Sequence, residues 1–596
     1  MKRRLFALAL ALLLAVSLPV SALAATWYLE DGDITIRATE SGQTVSQGDK
    51  HDVKDDDTTI TQRNSETATD KTIKIETTGG ATADVTIENV NISSGGDAID
   101  VGSSSANITL KGKNKLFSES KSALHVSSGD VTIDGDGTLE AGSENEDNNH
   151  AAIGSHAEEG MSGDITIGGS AKVTAVSRDD GAGIGSGDMG KMSGDITIGD
   201  NAQVTAWSGT GGAGIGSGRE NDVSGTITIG GNAQVTAGSN SETAGIGSGN
   251  NGSITSAGRI IIRDSAKVTA IGEDEGAGIG ASDGEHMAGL IIIQDNAQVT
   301  AIAGDSAAAI GSDDKDDMRG TILILGNARI TTGMLLDDEV AFNYETKKIE
   351  YKLDENAIGR IGDGQDAYHE SSYGHYVIGP DVTINGRNGS DIEKLKDYIN
   401  MRLSGENHDG DPENLTALDI RSENGKFTVT ASGEGTVEKI LYDRSETVPA
   451  APGTYPVTCV LRLGDETIEF QIGTLVVPEG KSDDADTPQS PLYRVTDKDG
   501  KDIAYTAEQK DGVLTVTVDA DFAVLTGKLS GIGTLKAQGV EKIVFVTKDA
   551  TSAFRLADLL EKGAAGETYK LTHDGKTAAF TAGGQQTDIS DILVKA

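Results

Sequence analysis

Gly181-Ala182-Gly183-Ile184-Gly185-Ser186-Gly187 decides the fold, because it returns. Its isoleucine recurs at Ile153, Ile184, Ile215, Ile246, Ile279 and Ile310, in steps of 31, 31, 31, 33 and 31 residues. A second segment, Gly163-Asp164-Ile165-Thr166-Ile167, recurs at 194–198, 225–229, 258–262, 289–293 and 320–324. A third places Val173, Val204, Val235, Val268, Val299 and Ile330 after a repeated alanine. Each segment is short, alternates apolar with polar or small residues, and is fenced by Gly, Asn, Asp or Ser. Those are strand and turn signals without a helical period. One turn of a three-sided coil fits 31 residues, whereas a propeller blade needs roughly 40–45. The prediction is a right-handed parallel β-helix, with six such coils over about 151–332.

In such a coil each strand pairs with its equivalent one turn on, at about 4.8 Å. Ile165, Ile167, Val173, Ala175 and Ile184 then point inward and stack on their copies. Glycine suits corners that need positive φ or close backbone approach. The ladder of Asn201, Asn232, Asn296 and Asn327 suits left-handed corners with amides bonding up the stack. The glycine-rich segment is not a phosphate loop: it lacks the Lys-Ser/Thr ending and opens no helix. One outward position changes along the stack, from Thr166, Thr197 and Thr228 to Ile261, Ile292 and Leu323. An exposed aliphatic stripe of this kind is usually covered, so the chain after residue 332 is expected to fold back over it.

Upstream the coils shorten. Val85-Thr86-Ile87, Ile108-Thr109-Leu110 and Val131-Thr132-Ile133 lie 23 residues apart. With Asn91-Ile92-Ser93-Ser94, Asp97-Ala98-Ile99, Lys113-Asn114-Lys115-Leu116 and Asp134-Gly135-Asp136-Gly137-Thr138-Leu139, this stretch (about 70–155) resembles the secreted calcium-dependent carbohydrate-binding β-helix domains of anaerobic Gram-positive bacteria. The resemblance implies polysaccharide binding without catalysis. The 31-residue coils depart from that family's pattern.

Composition bounds the rest. A basic start (Lys2, Arg3, Arg4), an apolar run over 5–20 and Ala22-Leu23-Ala24 read as an export signal over 1–25. No later stretch is long and apolar enough to span a membrane. The expected product is secreted, extracellular or surface-associated. The 78 glycines, 9 prolines and 4% aromatics favour thin repetitive packing over one aromatic core. A net charge of −43 makes nucleic acid an unsuitable partner. Cys459, the only cysteine, alternates with apolar residues and reads as a small core residue.

The expected all-β organisation is a β-helix with a C-terminal cap over 26–403, a linker at 404–414, an Ig-like β-sandwich at 415–478, a linker at 479–491 and a β-rich module with one helix at 492–596. The cap carries a helix opened by the capping box Ser390-Asp391-Ile392-Glu393. The sandwich rests on a short likeness of Leu441-Tyr442-Asp443 and Pro452-Gly453-Thr454-Tyr455 to bacterial extracellular Ig-like modules. In the last module, Thr551 is the candidate N-cap of a helix carrying Leu556, Leu559 and Leu560 and stopped by Gly563.

For chemistry, carboxylates beside the glycine corner (Asp179, Asp180, Glu242, Asp274, Glu275, Asp305) drift in register without accompanying Arg or Lys, which argues against a polysaccharide lyase or hydrolase. These carboxylates, or Asp97, Asp134 and Asp136, are candidate calcium ligands through oxygen. Trp207, Tyr368, Tyr373 and Tyr376 are candidate sugar-stacking platforms; alternatively, the tyrosines pack the cap. Two functions lead: a non-catalytic adhesin for a polysaccharide or cell-surface glycan, or a rigid stalk presenting the C-terminal modules; a polysaccharide lyase or hydrolase is the third.

Overall fold

The computed structural model describes residues 25–594 with internal breaks, the longest at 364–373, 396–414, 478–492 and 561–567. Each repeated segment becomes a strand that pairs in parallel with its copy one coil on. Ile165–Ile167 pairs with Ile196–Ile198, and that with Thr226–Ile229, keeping Ile165, Ile196 and Ile227 in one column. Lys172–Val176 and Gln203–Ser208 align likewise, as do Ile184–Gly185 and Ile215–Gly216. Three long sheets result, of 14, 12 and 13 strands. The chain is 54% strand and 3% helix, an all-β solenoid-like architecture with no closed barrel.

The interior is a set of apolar columns. Ile165, Ile167, Val173, Ala175 and Ile184 are all buried, each continuous with its copies in a single core. A further column, Met161, Met192, Val223, Ile254, Met287 and Met318, joins successive coils by isolated parallel bridges and is fully buried. Full burial of each such side chain contributes about 1.5–3 kcal/mol.

Two features of the glycine corner are obligatory. Gly185 has φ +142°, and a Cβ there would lie 1.8 Å from the Gly216 carbonyl oxygen of the next coil. The serine that follows is a buried acceptor: Gly218 N–H donates to Ser186 Oγ (3.1 Å) and Gly249 N–H to Ser217 Oγ (3.1 Å). The asparagine ladder differs from expectation. Asn232 does donate to Asn201 Oδ1 (3.2 Å), but the positive φ belongs to the preceding residue, Asp200 (52°), Gly231 (62°) and Asp295 (61°). The left-handed corner is therefore taken by Asp or Gly, and Asn only caps it.

Two chain segments lie over the coils. Arg329–Asn343 leaves the solenoid as one long strand and turns back as Lys348–Leu353. This hairpin packs Leu335, Phe342 and Ile349 on the outward column of Val176, Trp207, Ile271 and Ile302. The aliphatic stripe is covered, as expected, by chain after residue 332, here the strands beyond the hairpin. Thr436–Tyr442, Gly453–Leu463 and Glu466–Val477 form a three-stranded antiparallel sheet. Its Cys459, Leu461, Leu463 and Phe470 pack on Leu290, Ile292, Leu323 and Val377. Cys459 is buried, which pushes its thiol up to about 12.

The residues of the expected Ig-like β-sandwich, 415–478, lie in the same compact unit as the coils. Leu415–Glu423 pairs in parallel with His375–Ile378 at the end of a solenoid sheet, then hairpins with Lys426–Ser432. An outward aliphatic face on both partners makes the association favourable. The expected cap helix and the 404–414 and 479–491 linkers lie outside the described residues, apart from a buried Leu395.

Residues 480–596 form a second compact unit. It holds two five-stranded sheets around Phe545, Phe554, Tyr569 and Phe580. Leu556–Leu560 is helical, but Thr551–Arg555 is a strand, so Thr551 caps nothing; Gly563 is outside the described residues. A second helix, Leu529–Ala537, was hidden in the sequence by the glycines at 531 and 533. Among the described residues no helix is long and apolar enough to cross a membrane.

Candidate functional site

The outward positions of the Lys172–Val176 sheet form three columns. The first is Lys172, Gln203, Gln234, Lys267 and Gln298; the second is Thr174, Thr205, Thr236, Thr269 and Thr300. The third is the column hidden by the hairpin. By covering the third, the hairpin becomes a wall for the other two. A groove of about 870 Å³ runs there along the coil axis, closed on one side by Thr346, Lys347, Lys348, Ile349 and Tyr351.

Its floor is a ladder of hydroxyls and amides at the strand spacing, about 4.8 Å, with both donors and acceptors. No carboxylate lines it, and four lysines do: Lys172, Lys267, Lys347 and Lys348. In a chain of net charge −43 this is a local inversion of sign. Lys347 Nζ pairs with Glu140 at 3.5 Å, while the other three have no ion-pair partner among the described residues.

The predicted sugar platforms fare differently. Trp207 is 4% exposed, because Phe342 stacks on it with ring centroids 6.3 Å apart. Tyr376 is 1% exposed in the coil interior, where its inward register places it. Neither ring presents a face to solvent. Tyr368 and Tyr373 lie outside the described residues. Among the described residues the exposed tyrosines are Tyr344 and Tyr351 of the hairpin, at 44% and 37%, and Tyr505 of the C-terminal unit, at 40%.

Of the predicted calcium ligands, Asp134 and Asp136 stand exposed and join no cluster of metal-binding groups among the described residues. Asp97 does, with companions of another kind. Its carboxylate groups with His125 and His156, one ligand atom from each lying within 4.8 Å of the others. His156 Nε2 is 2.7 Å from Asp97 Oδ1, and His125 Nδ1 is 2.9 Å from Asp100 Oδ1. The two imidazoles stack at 3.7 Å, 7° from parallel. Glu159 Oε2 faces both far edges, 2.8 Å from His125 Nε2 and 3.5 Å from His156 Nδ1. Burial alone would depress His125, but its bonds to Asp100 and Glu159 and the charge of Asp97 outweigh that and raise it. Neighbouring His150 is pushed down to about 4, first by burial and then by the His156 charge.

The corner carboxylates also differ from expectation, since an arginine does accompany them. Arg219 reaches Asp180 at 3.0 Å and Asp188 at 3.2 Å. Burial, then repulsion from Asp179, raises Asp180 to about 6. Both carboxylates are buried against the guanidinium, a charge-matched contact between coils.

No protein-family profile, curated protein or solved structure matches the chain. Function therefore rests on the chemistry of these two places.

Proposed function

We propose that the chain is an exported, non-catalytic binding protein for an acidic polysaccharide, held along the groove of its solenoid. The observation that carries this reading is the groove's lining: threonine and glutamine columns flanked by four lysines, without a carboxylate, on a strongly acidic protein. The hydroxyl and amide ladder suits the repeated hydroxyls of a glycan. The lysines suit its carboxylates and locally offset the repulsion that the chain's net negative charge would exert on such a polymer. Tyr351 at the rim offers a ring in reach of a sugar face. Right-handed coils, the common hand of parallel crossovers, are part of this reading.

Retention on immobilised polygalacturonate, cellulose and peptidoglycan, with and without chelator, tests it. Retention on polygalacturonate that weakens with salt is expected. The triple variant Lys172→Gln, Lys267→Gln, Lys348→Gln should bind roughly tenfold or more weakly, since exposed charge pairs contribute up to about 1 kcal/mol each. Equal retention of that variant would remove the groove from the binding site. No retention on any glycan would favour the stalk, and release by chelator would favour a calcium bridge.

A further inference from the structure

We propose that Asp97, His125 and His156, with Asp100, bind a zinc-class divalent cation that clips three successive coils together. The register partners Ile99, Leu124, Ile153 and Ile184 are separated by 25, 29 and 31 residues. The cluster thus sits where short coils give way to long ones. Asp97 and Asp100 belong to the first of these coils, His125 to the second, and His156 to the third.

Both histidines stand just before the glycine columns of the later coils begin. His125 pairs in register with Gly154, and the glycine column continues through Gly185 and Gly216. His156 follows Ile153-Gly154-Ser155 where later coils carry Gly187, Gly218 and Gly249. A Cβ at Gly187 would lie 2.5 Å from the His156 carbonyl oxygen, so these positions stack directly. Two imidazoles on successive coils, at the heads of two columns that continue as glycine, are a local departure that coil packing alone does not call for.

The donor set selects the ion. Two imidazole nitrogens with carboxylate oxygens suit zinc and its borderline neighbours, whereas calcium takes an all-oxygen shell. His125 Nδ1 and His156 Nε2 lie on the edge facing Asp97 and Asp100. The opposite nitrogens both face Glu159, which would receive their N–H groups and orient the two rings as a carboxylate does behind metal-bound histidines. Ser122 N–H donates to Asp97 Oδ1 at 3.1 Å and orients that carboxylate. Ligation needs the parallel rings to splay so that the two facing nitrogens converge beside Asp97.

Isothermal titration of the full chain, expressed without a polyhistidine tag and stripped of metal, tests this with zinc chloride and, separately, calcium chloride. One zinc per chain is expected, with a cobalt(II) derivative showing tetrahedral absorption and zinc raising the melting temperature. His156→Gly restores the residue of later coils and should keep the circular dichroism spectrum while losing that zinc. Glu159→Gln should weaken binding about 10- to 100-fold. Absence of stoichiometric zinc, undiminished zinc binding by a folded His156→Gly chain, or calcium displacing zinc at equal concentration would each overturn the proposal.

Discussion

Phe342 lies stacked on Trp207, its ring centroid 6.3 Å from the indole, at a level of the column where the next coil supplies glycine, Gly238. The bulky ring and the missing side chain are complementary: a Cβ on Gly238 would sit 3.2 Å from the indole. Trp207→Ala should therefore loosen the hairpin that walls the groove, at a cost of about 3–5 kcal/mol. Limited proteolysis should then cut the turn between Asn343 and Lys348, and polysaccharide retention should fall with it. A turn as resistant as in the parent chain would show that the hairpin is held elsewhere.

Ile292 is 7% exposed beneath the three-stranded sheet that carries Cys459 and Phe470. Ile292→Lys places an ammonium in that apolar contact and should destabilise the covering sheet by about 3–5 kcal/mol. Thr197 occupies the same outward column on an earlier coil and is half-buried outside the cluster. Thr197→Lys should change stability by less than about 0.5 kcal/mol. Equal melting temperatures for the two variants would contradict the covering role.

This stripe was legible in the sequence because a single outward column switched from threonine to isoleucine while its neighbours kept register. The inward columns were legible for the same reason. That chain after residue 332 covers the stripe was legible too, but not which strands, since packing of Ile292 and Phe470 in one cluster leaves no period to read. The buried Met161–Met192–Val223 column escaped because its residue type varies between coils. The groove was half visible: the lysine, glutamine and threonine columns repeat, but their wall is a hairpin formed where periodicity stops. At the metal-type cluster, Asp97 could be picked out as a carboxylate but was grouped with Asp134 and Asp136. Its companions emerge only when the coils are aligned and His125 and His156 are seen to stand where the glycine columns begin.

Gly216→Ala should be among the most damaging single substitutions in the coils. At φ +143° an alanine is strained, and its Cβ would lie 1.8 Å from the Gly247 carbonyl oxygen. Separating two paired strands to relieve this should cost more than about 3 kcal/mol. Ser217→Ala, one residue on, removes the acceptor of Gly249 N–H and the donor to the Asn221 carbonyl (2.6 Å), and should cost about 1–3 kcal/mol. Urea unfolding of both variants checks the order, and a Ser217→Ala chain weaker than Gly216→Ala would refute the steric argument.

His573 supplies a pH dependence confined to the C-terminal unit. Its ring is fully buried, with Thr547 Oγ1 3.0 Å from Nδ1 and Ser552 Oγ 2.8 Å from Nε2. Burial pushes it down to about 4 from an ordinary 6.5. The unfolded chain therefore binds the proton first. The associated stability is complete above about pH 6.5 and is lost as the pH falls towards 4. Between pH 6.5 and about pH 5, above the range where most carboxylates titrate, the loss should be about 2 kcal/mol. Hydrogen exchange in Lys542–Val546 and Thr568–Asp574, corrected for the intrinsic pH dependence of exchange, should report it. His573→Gln, which cannot titrate, should show a flat profile, and a slope that survives this change would assign the dependence to another group.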